Sequence, residues 1–271
     1  MASTFNFSKS RYSQLEWELK YALDNTSKEE FKEWAKCTAL VFPKVTVRRA
    51  KNLGELAGSV VKGTVNEAKQ FINASLEWRL LSHTKKRTSD LADFSQESYR
   101  DLRDLTKTII KMTRNDPKKT AIQMFMAVMG FNIGGGGLDG DGGIPDLDLL
   151  VSIGQHRSIL THSVIPMIVI EGVCISLVGL VQIIHGNLPA NHDPLWDQIK
   201  SNNESVLESF YAGMSLGLAY HLGVDATIQG EGTYKNLLFS MPQIGHQLLA
   251  GANSITEFVD TTKTKIIKKL K

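Results

Sequence analysis

The chain has 271 residues, 42% of them hydrophobic and 22% charged, which is enough apolar material for one large domain or two smaller ones and excludes a disordered chain. Its two cysteines, Cys37 and Cys174, stand far apart in no metal-ligand spacing, which excludes a disulfide framework. The formal net charge of +3 conceals a division: residues 1–120 carry 23 Lys and Arg against 15 Asp and Glu, residues 121–262 carry 3 against 13, and the closing KTKIIKKLK carries five lysines and no acid.

An acidic, histidine-bearing half suits a cation site, and a basic half suits an anionic partner such as phospholipid headgroups or nucleic acid. The opening MASTFNFSKSRYSQLEWELKY has no apolar stretch after its first charge, so the N-terminus is expected to start in the cytosol. Leu15, Leu19, Ala22 and Leu23 recur at helical spacing, and Ser27, three residues before Glu30, forms a capping-box signature that opens a second helix. Pro43 is expected to end that helix, with VTVRR after it as a brief strand or the entry to the next. From Val45 to His83, apolar residues such as Leu53, Leu56, Val60, Phe71 and Leu76 keep a 3.6-residue period, the mark of a long amphipathic helix. Its stripe is expected to pack into a helical bundle; Arg48, Arg49, Lys51, Lys62 and Lys69 beside it leave a membrane-surface role as the alternative.

Ser82 to Ser89 reads as a polar linker. Its Lys85, Lys86 and Arg87 have no aromatic platform or nucleic-acid motif beside them, so they are expected in a solvated turn, with no nucleic acid bound. A helical region over 90–113 follows, closed by Asn115-Asp116-Pro117. KTAIQMFMAVMGFNI, residues 119–133, falls short of the roughly 20 residues that span a bilayer and is expected as a buried helix.

Chemistry concentrates from Gly134 to Ser163, where Asp139, Asp141, Asp146, Asp148, His156 and His162 lie in a glycine-rich run, GGGGLDGDGGIPDLDLLVSIGQHRSILTHS. Carboxylates and imidazoles are the donors that divalent cations take, and glycines let the backbone fold tightly enough to converge them. Asp146 and Asp148 would be splayed by about 200° on a regular helix, but Pro145 favours a turn where both can converge. Asp139 and Asp141 are expected to solvate the loop. The run lacks the Gly-Lys-Ser/Thr ending of a phosphate loop, the acid order of an EF-hand and any nucleophile elbow.

Ser163 to Ile184 is 22 residues with one charge, Glu171, which meets the length and hydropathy of a transmembrane helix; the competing reading is a central helix enclosed by others. Glu171 needs a partner there, for which a metal or a histidine would serve. After the loop HGNLPANHDP and a polar stretch from Trp196, Val206 to Ala226 forms a helix whose Ala212, Gly213, Ser215, Gly217, Ala219 and Gly223 permit close backbone approach. His221 and Asp225, four apart, project from one face of it. Asn236 to Ile255 is the last apolar region, cut by Pro242. His185, His192 and His246 have no companion spacing and are expected in surface or structural roles.

IPDLD, HRSILTHS and HLGVDAT, in this order, resemble the YdjM family, LexA-binding, inner-membrane-associated metal-dependent hydrolases. The resemblance covers roughly Gly134 to Gly230 and implies a metal centre of Asp146, Asp148, His156, His162, His221 and Asp225. It also implies that Arg157, Thr161 and Ser163 support the ligands or touch substrate.

The expected fold is all-α: amphipathic helices over 1–118, a partly membrane-like helical domain over 119–260 around the Asp/His site, and a basic tail over 261–271. The expected activity is metal-dependent hydrolysis of a phosphoester or lipid-type substrate, with zinc or manganese bound, Asp148 or His162 handling the proton and Arg157 steadying negative charge. The alternative is a non-catalytic membrane-associated protein whose Asp/His cluster is structural. The expected location is the inner (cytoplasmic) membrane, or the cytoplasm with membrane association, with a protein partner accommodated by the N-terminal helices.

Overall fold

The computed structural model describes residues 9–76, 103, 107–138, 142–150, 158–227, 234 and 243–263, giving backbone alone at 53–76, 148–150 and 259–263. The fold is all-α: among the described residues there are helices and turns but no strand. Helices α1 (Lys9–Asn25), α2 (Lys28–Leu76) and α3 (Pro117–Gly135) are followed by a short 3-10 helix, Pro145–Leu150. Helices α4 (Ile165–Gly186), α5 (Leu195–Thr227) and α6 (Gln243–Lys263) complete the chain. It divides into two compact units, one of residues 1–49 with 123–271 and one of residues 50–122. The second unit holds the distal part of α2, a helical stretch over 107–115 and the start of α3. Asp116 separates those last two and caps α3, its Oδ1 accepting from the Lys119 amide at 2.9 Å. The linker with Lys85, Lys86 and Arg87, and the loop residues Asp139 and Asp141, lie outside the described residues.

Ser27 and Glu30 form the capping box that starts α2. The Glu30 amide donates to Ser27 Oγ at 3.1 Å, and the Ser27 amide donates to Glu30 Oε2 at 2.8 Å. Pro43 does not end the helix; it lies inside α2, which continues to Leu76. A proline there removes one backbone hydrogen bond and crowds the preceding turn, and the turns before it are held against α4. Trp34 Nε1 donates to the Ser176 carbonyl at 2.9 Å, and the Phe42 ring lies so close to Gly172 that a β-carbon there would come within 2.5 Å of it.

Past the proline, Arg48 and Arg49 turn inward rather than to a surface. Arg48 donates to both oxygens of Glu171, at 2.5 and 2.6 Å, and Arg49 Nε donates to Glu171 Oε2 at 3.3 Å. Arg49 also donates to Glu257 and to the Tyr211 hydroxyl; that hydroxyl donates to Glu171 at 3.0 Å, and Ser215 donates to Glu257. Arg49, Glu171 and Glu257 are almost fully buried. The partner of Glu171 is therefore a pair of arginines, not a metal or a histidine, and among the described residues two guanidinium and two carboxylate groups come together where α2, α4, α5 and α6 meet.

α3 and α5 pack backbone to backbone. A β-carbon at Gly130 or Gly134 would stand 2.1 Å from the Phe210 or Met214 carbonyl oxygen, and one at Gly213 or Gly217 would stand 2.0 or 2.2 Å from that of Ala127 or Phe131. Each helix thus offers a Gly-x-x-x-Gly face to the other. This changes the reading of α3 as a buried helix: its large residues point outward, with Phe125 62% and Val128 61% exposed, because the packed face is made of glycine and alanine. The compact core joins Ile144, Met167, Val178, Tyr211, Met214, Leu218 and Leu222, drawn from the 3-10 approach, α4 and α5.

α4 is the one described helix long and apolar enough to cross a membrane, with mean hydropathy 2.4, and only 28% of that apolar window is buried. It is therefore not enclosed by other helices. Val169, Val173 and Leu177 form an outward stripe along it.

Candidate metal centre

Four of the six expected ligands have described side chains, and they converge. Asp146 comes from the 3-10 turn, His162 from the turn that leads into α4, and His221 and Asp225 from successive turns of α5. Single donor atoms of Asp146, His162 and His221 all lie within 4.8 Å of one another. Asp225 Oδ2 stands 3.8 Å from His162 Nε2 and 3.5 Å from His221 Nε2, and the imidazole centroids are 5.4 Å apart, edge to face. His162, His221 and Asp225 are buried, and Asp146 is half-buried. The side chain of Asp148, and His156 and Arg157 altogether, lie outside the described residues.

The turn chemistry that delivers Asp146 depends on glycine. Gly136, Gly137, Gly142 and Gly143 all have positive φ, a conformation that L side chains rarely adopt. A β-carbon at Gly143 would also lie 2.5 Å from the Gly136 nitrogen. The chain folds back so that the Ile144 amide donates to the Ile133 carbonyl at 2.8 Å, and the Gly142 amide donates to the Asp146 carboxylate. Pro145 then opens the 3-10 turn with its ring buried.

His162 is oriented from behind. Thr161 donates its hydroxyl to the Ser158 carbonyl at 3.2 Å, which leaves Thr161 Oγ1 to accept from His162 Nδ1–H at 3.1 Å. On this assignment the Nε2 lone pair faces Asp225. The His162 carbonyl accepts from the Tyr234 hydroxyl at 2.7 Å, and the Tyr234 amide donates to His246 Nδ1 at 2.9 Å. Asn253 of α6 accepts from the Val164 amide at 3.1 Å, and Ser163 Oγ accepts from the Ile165 amide at 3.2 Å. Thr161 and Ser163 therefore act on the histidine turn and the start of α4. Tyr234 and Asn253 carried no motif, and only their distance in space from the site could have flagged them.

Comparison of the chain with protein-family models, curated proteins and solved structures finds no match. What the site can do rests on its donors. Two imidazoles and two carboxylates are a set that zinc or manganese accepts. Donors on one zinc stand no more than about 4.2 Å apart, twice the bond length, and both Asp225 contacts fall inside that limit. His221 Nδ1 is buried with no hydrogen-bond partner. The two nitrogens of one imidazole point in divergent directions, and it is Nε2 of His221 that faces Asp225 and is available to an ion there. The residues fit a divalent cation.

Proposed function

We propose that this chain is a membrane-associated, metal-dependent hydrolase, related to the YdjM-like proteins its motifs resemble, with the ion held by Asp146, His162, His221 and Asp225. The convergence of four donors from three distant segments carries this reading. Asp148 and His156 complete the proposed ligand set, and Arg157 is the proposed contact for an anionic transition state.

When bound, the ion supplies a Lewis acid that acidifies water and polarises the scissile group. His162, its Nδ1 proton held by Thr161, keeps a fixed orientation through the reaction. Asp146 is the most exposed of the four donors and is the group that meets entering water and takes a proton from it. The substrate class is a phosphoester or lipid headgroup. Support for a membrane setting comes from α4, from the outward Phe125 and Val128 of α3, and from Ile244 and Leu248 of α6, 65% and 68% exposed. The buried charges of the same unit are paired internally, as lipid surroundings demand. The five lysines of the tail suit anionic headgroups.

The second reading, a structural Asp/His cluster, draws on the burial of His162, His221 and Asp225. One experiment separates the two. The chain is extracted in detergent from carbonate-washed membranes, analysed for metal beside His162→Ala and Asp225→Ala, and assayed with a chromogenic phosphodiester. Hydrolysis and one equivalent of metal, both lost in each variant relative to wild type, are expected. Metal without turnover on any phosphoester supports the structural cluster, and a metal-free chain that refuses zinc and manganese sinks the hydrolase reading and leaves the Asp/His cluster as a structural network.

A further inference from the structure

At the far end of α4 stands a second group of donors that the sequence spacing did not announce. His185 closes α4, His192 lies in the connection to α5, and Asp197 is in the first turn of α5. His185 Nε2 is 2.7 Å and His192 Nε2 is 3.2 Å from the same oxygen, Asp197 Oδ1, and the rings meet edge to face with centroids 5.2 Å apart. One donor atom from each residue lies within 4.8 Å of the others. Bonds of about 2.0–2.2 Å in a tetrahedral shell separate neighbouring donors by roughly 3.3–3.6 Å, and the two nitrogen–oxygen distances here are 2.7 and 3.2 Å.

We propose that His185, His192 and Asp197 form a second divalent-metal site, of the zinc class, at the opposite end of α4 from the Asp/His centre. Three features beyond the donor count support it. The site is built on a clamped loop: the Asp193 amide donates to Glu18 at 2.9 Å, Arg11 donates twice to the Asp193 carboxylate at 2.7 Å, and Trp196 Nε1 donates to Glu18 at 2.8 Å. His192 Nδ1 donates to the Pro189 carbonyl at 2.9 Å, which fixes the ring with Nε2 against Asp197, and an ion entering there displaces the proton that Nε2 shares with that carboxylate. Asp197 is 63% exposed in its side chain, so ions have access and a fourth position stays open to water.

Lys200 opposes the metal. Its Nζ lies 3.2 Å from His185 Nδ1, and an ammonium can only donate, so in the metal-free protein the His185 proton sits on Nε2 and points at Asp197. Binding moves that proton off Nε2, and the exposed Lys200 side chain swings clear so that Nδ1 can carry it. His185 and His162 lie at opposite ends of a 22-residue helix, roughly 33 Å long at 1.5 Å per residue. No ion can bridge that span, and the two sites are separable by mutation.

The test is zinc chloride titration of the chelator-stripped full chain in detergent, followed by calorimetry, with helicity and elution volume checked for every variant. Wild type is expected to take up one zinc that survives His162→Ala and is lost in His192→Ala. Asp197→Asn weakens that zinc by at least tenfold, and Lys200→Met tightens it several-fold. Zinc uptake unaltered by both His192→Ala and Asp197→Asn overturns the site, as does an affinity that falls in Lys200→Met. Because His162→Ala removes only the other centre, failure here and failure of the hydrolase reading give different titrations.

Discussion

Thr161 lies behind His162 and fixes which of its nitrogens faces the other donors. Groups that orient a ligand in this way are worth about 10–100-fold in metal affinity. Thr161→Val, which keeps the shape and removes the acceptor, is expected to lower zinc affinity within that range while leaving helicity unchanged. Equal affinity in the two proteins would end the orienting role. Glu30 makes a different point, about pH. The Ser27 amide, then the Ser27 hydroxyl and Asn187, hold its carboxyl below the usual glutamate range. A depressed carboxylate stabilises the fold fully above its unfolded pKa of about 4.3 and loses that contribution as pH falls through the lower folded value. The Tm gap between wild type and Glu30→Gln is therefore expected to hold from neutral pH down to about pH 5 and to close in stronger acid. A gap constant to the acid limit would take the carboxylate out of the cap.

Among the elements, the α3–α5 pair depends on having no side chain at the contact. Gly134→Ala and Gly213→Ala each drive a β-carbon into a backbone carbonyl, at 2.1 and 2.0 Å, and backbone cannot rotate away as a side chain would. Overpacking of this kind costs about 1–3 kcal/mol. Gly186→Ala is the control, since nothing lies within 4 Å of its β-carbon position. Thermal melts are expected to fall for the first two and to hold or rise for the third; three equal melts would mean that the helices part freely. The small residues of α5 were legible in the sequence as a close-approach face, as were the capping box and the His221–Asp225 spacing, because each is a local pattern. The continuation of α2 past Pro43 was not legible. Propensity ends a helix there, and what overrides it, Trp34 and Phe42 against α4, comes from more than 120 residues away. The alternative that gave Arg48 and Arg49 a membrane-surface role could not be set aside from the sequence for the same reason, since their partners Glu171 and Glu257 are far along the chain. His185, His192 and Asp197 escaped because a turn, not a helical period, brings them together.

For the whole molecule, the deciding feature is that one charge network ties four helices at a single point. Arg49 is 2% exposed and contacts Glu171, Glu257 and Tyr211, so it joins α2 to α4, α6 and α5 at once. Removing one member of a buried pair is far worse than removing both, because the survivor keeps its desolvation penalty without its attraction. Arg49→Met is therefore expected to cost about 3–5 kcal/mol, as Glu257 loses its guanidinium partner while its carboxylate stays buried beside the Ser215 hydroxyl. Glu171 suffers less, since Arg48 still holds both of its oxygens. Arg49→Met combined with Glu257→Leu restores an uncharged, similarly filled contact and is expected to recover most of the loss, read as denaturant midpoints of the detergent-solubilised chain. Costs that simply add in the double variant would mean that Arg49 and Glu257 act independently, and the four helices would then be held by the glycine contacts and the apolar core rather than by this network.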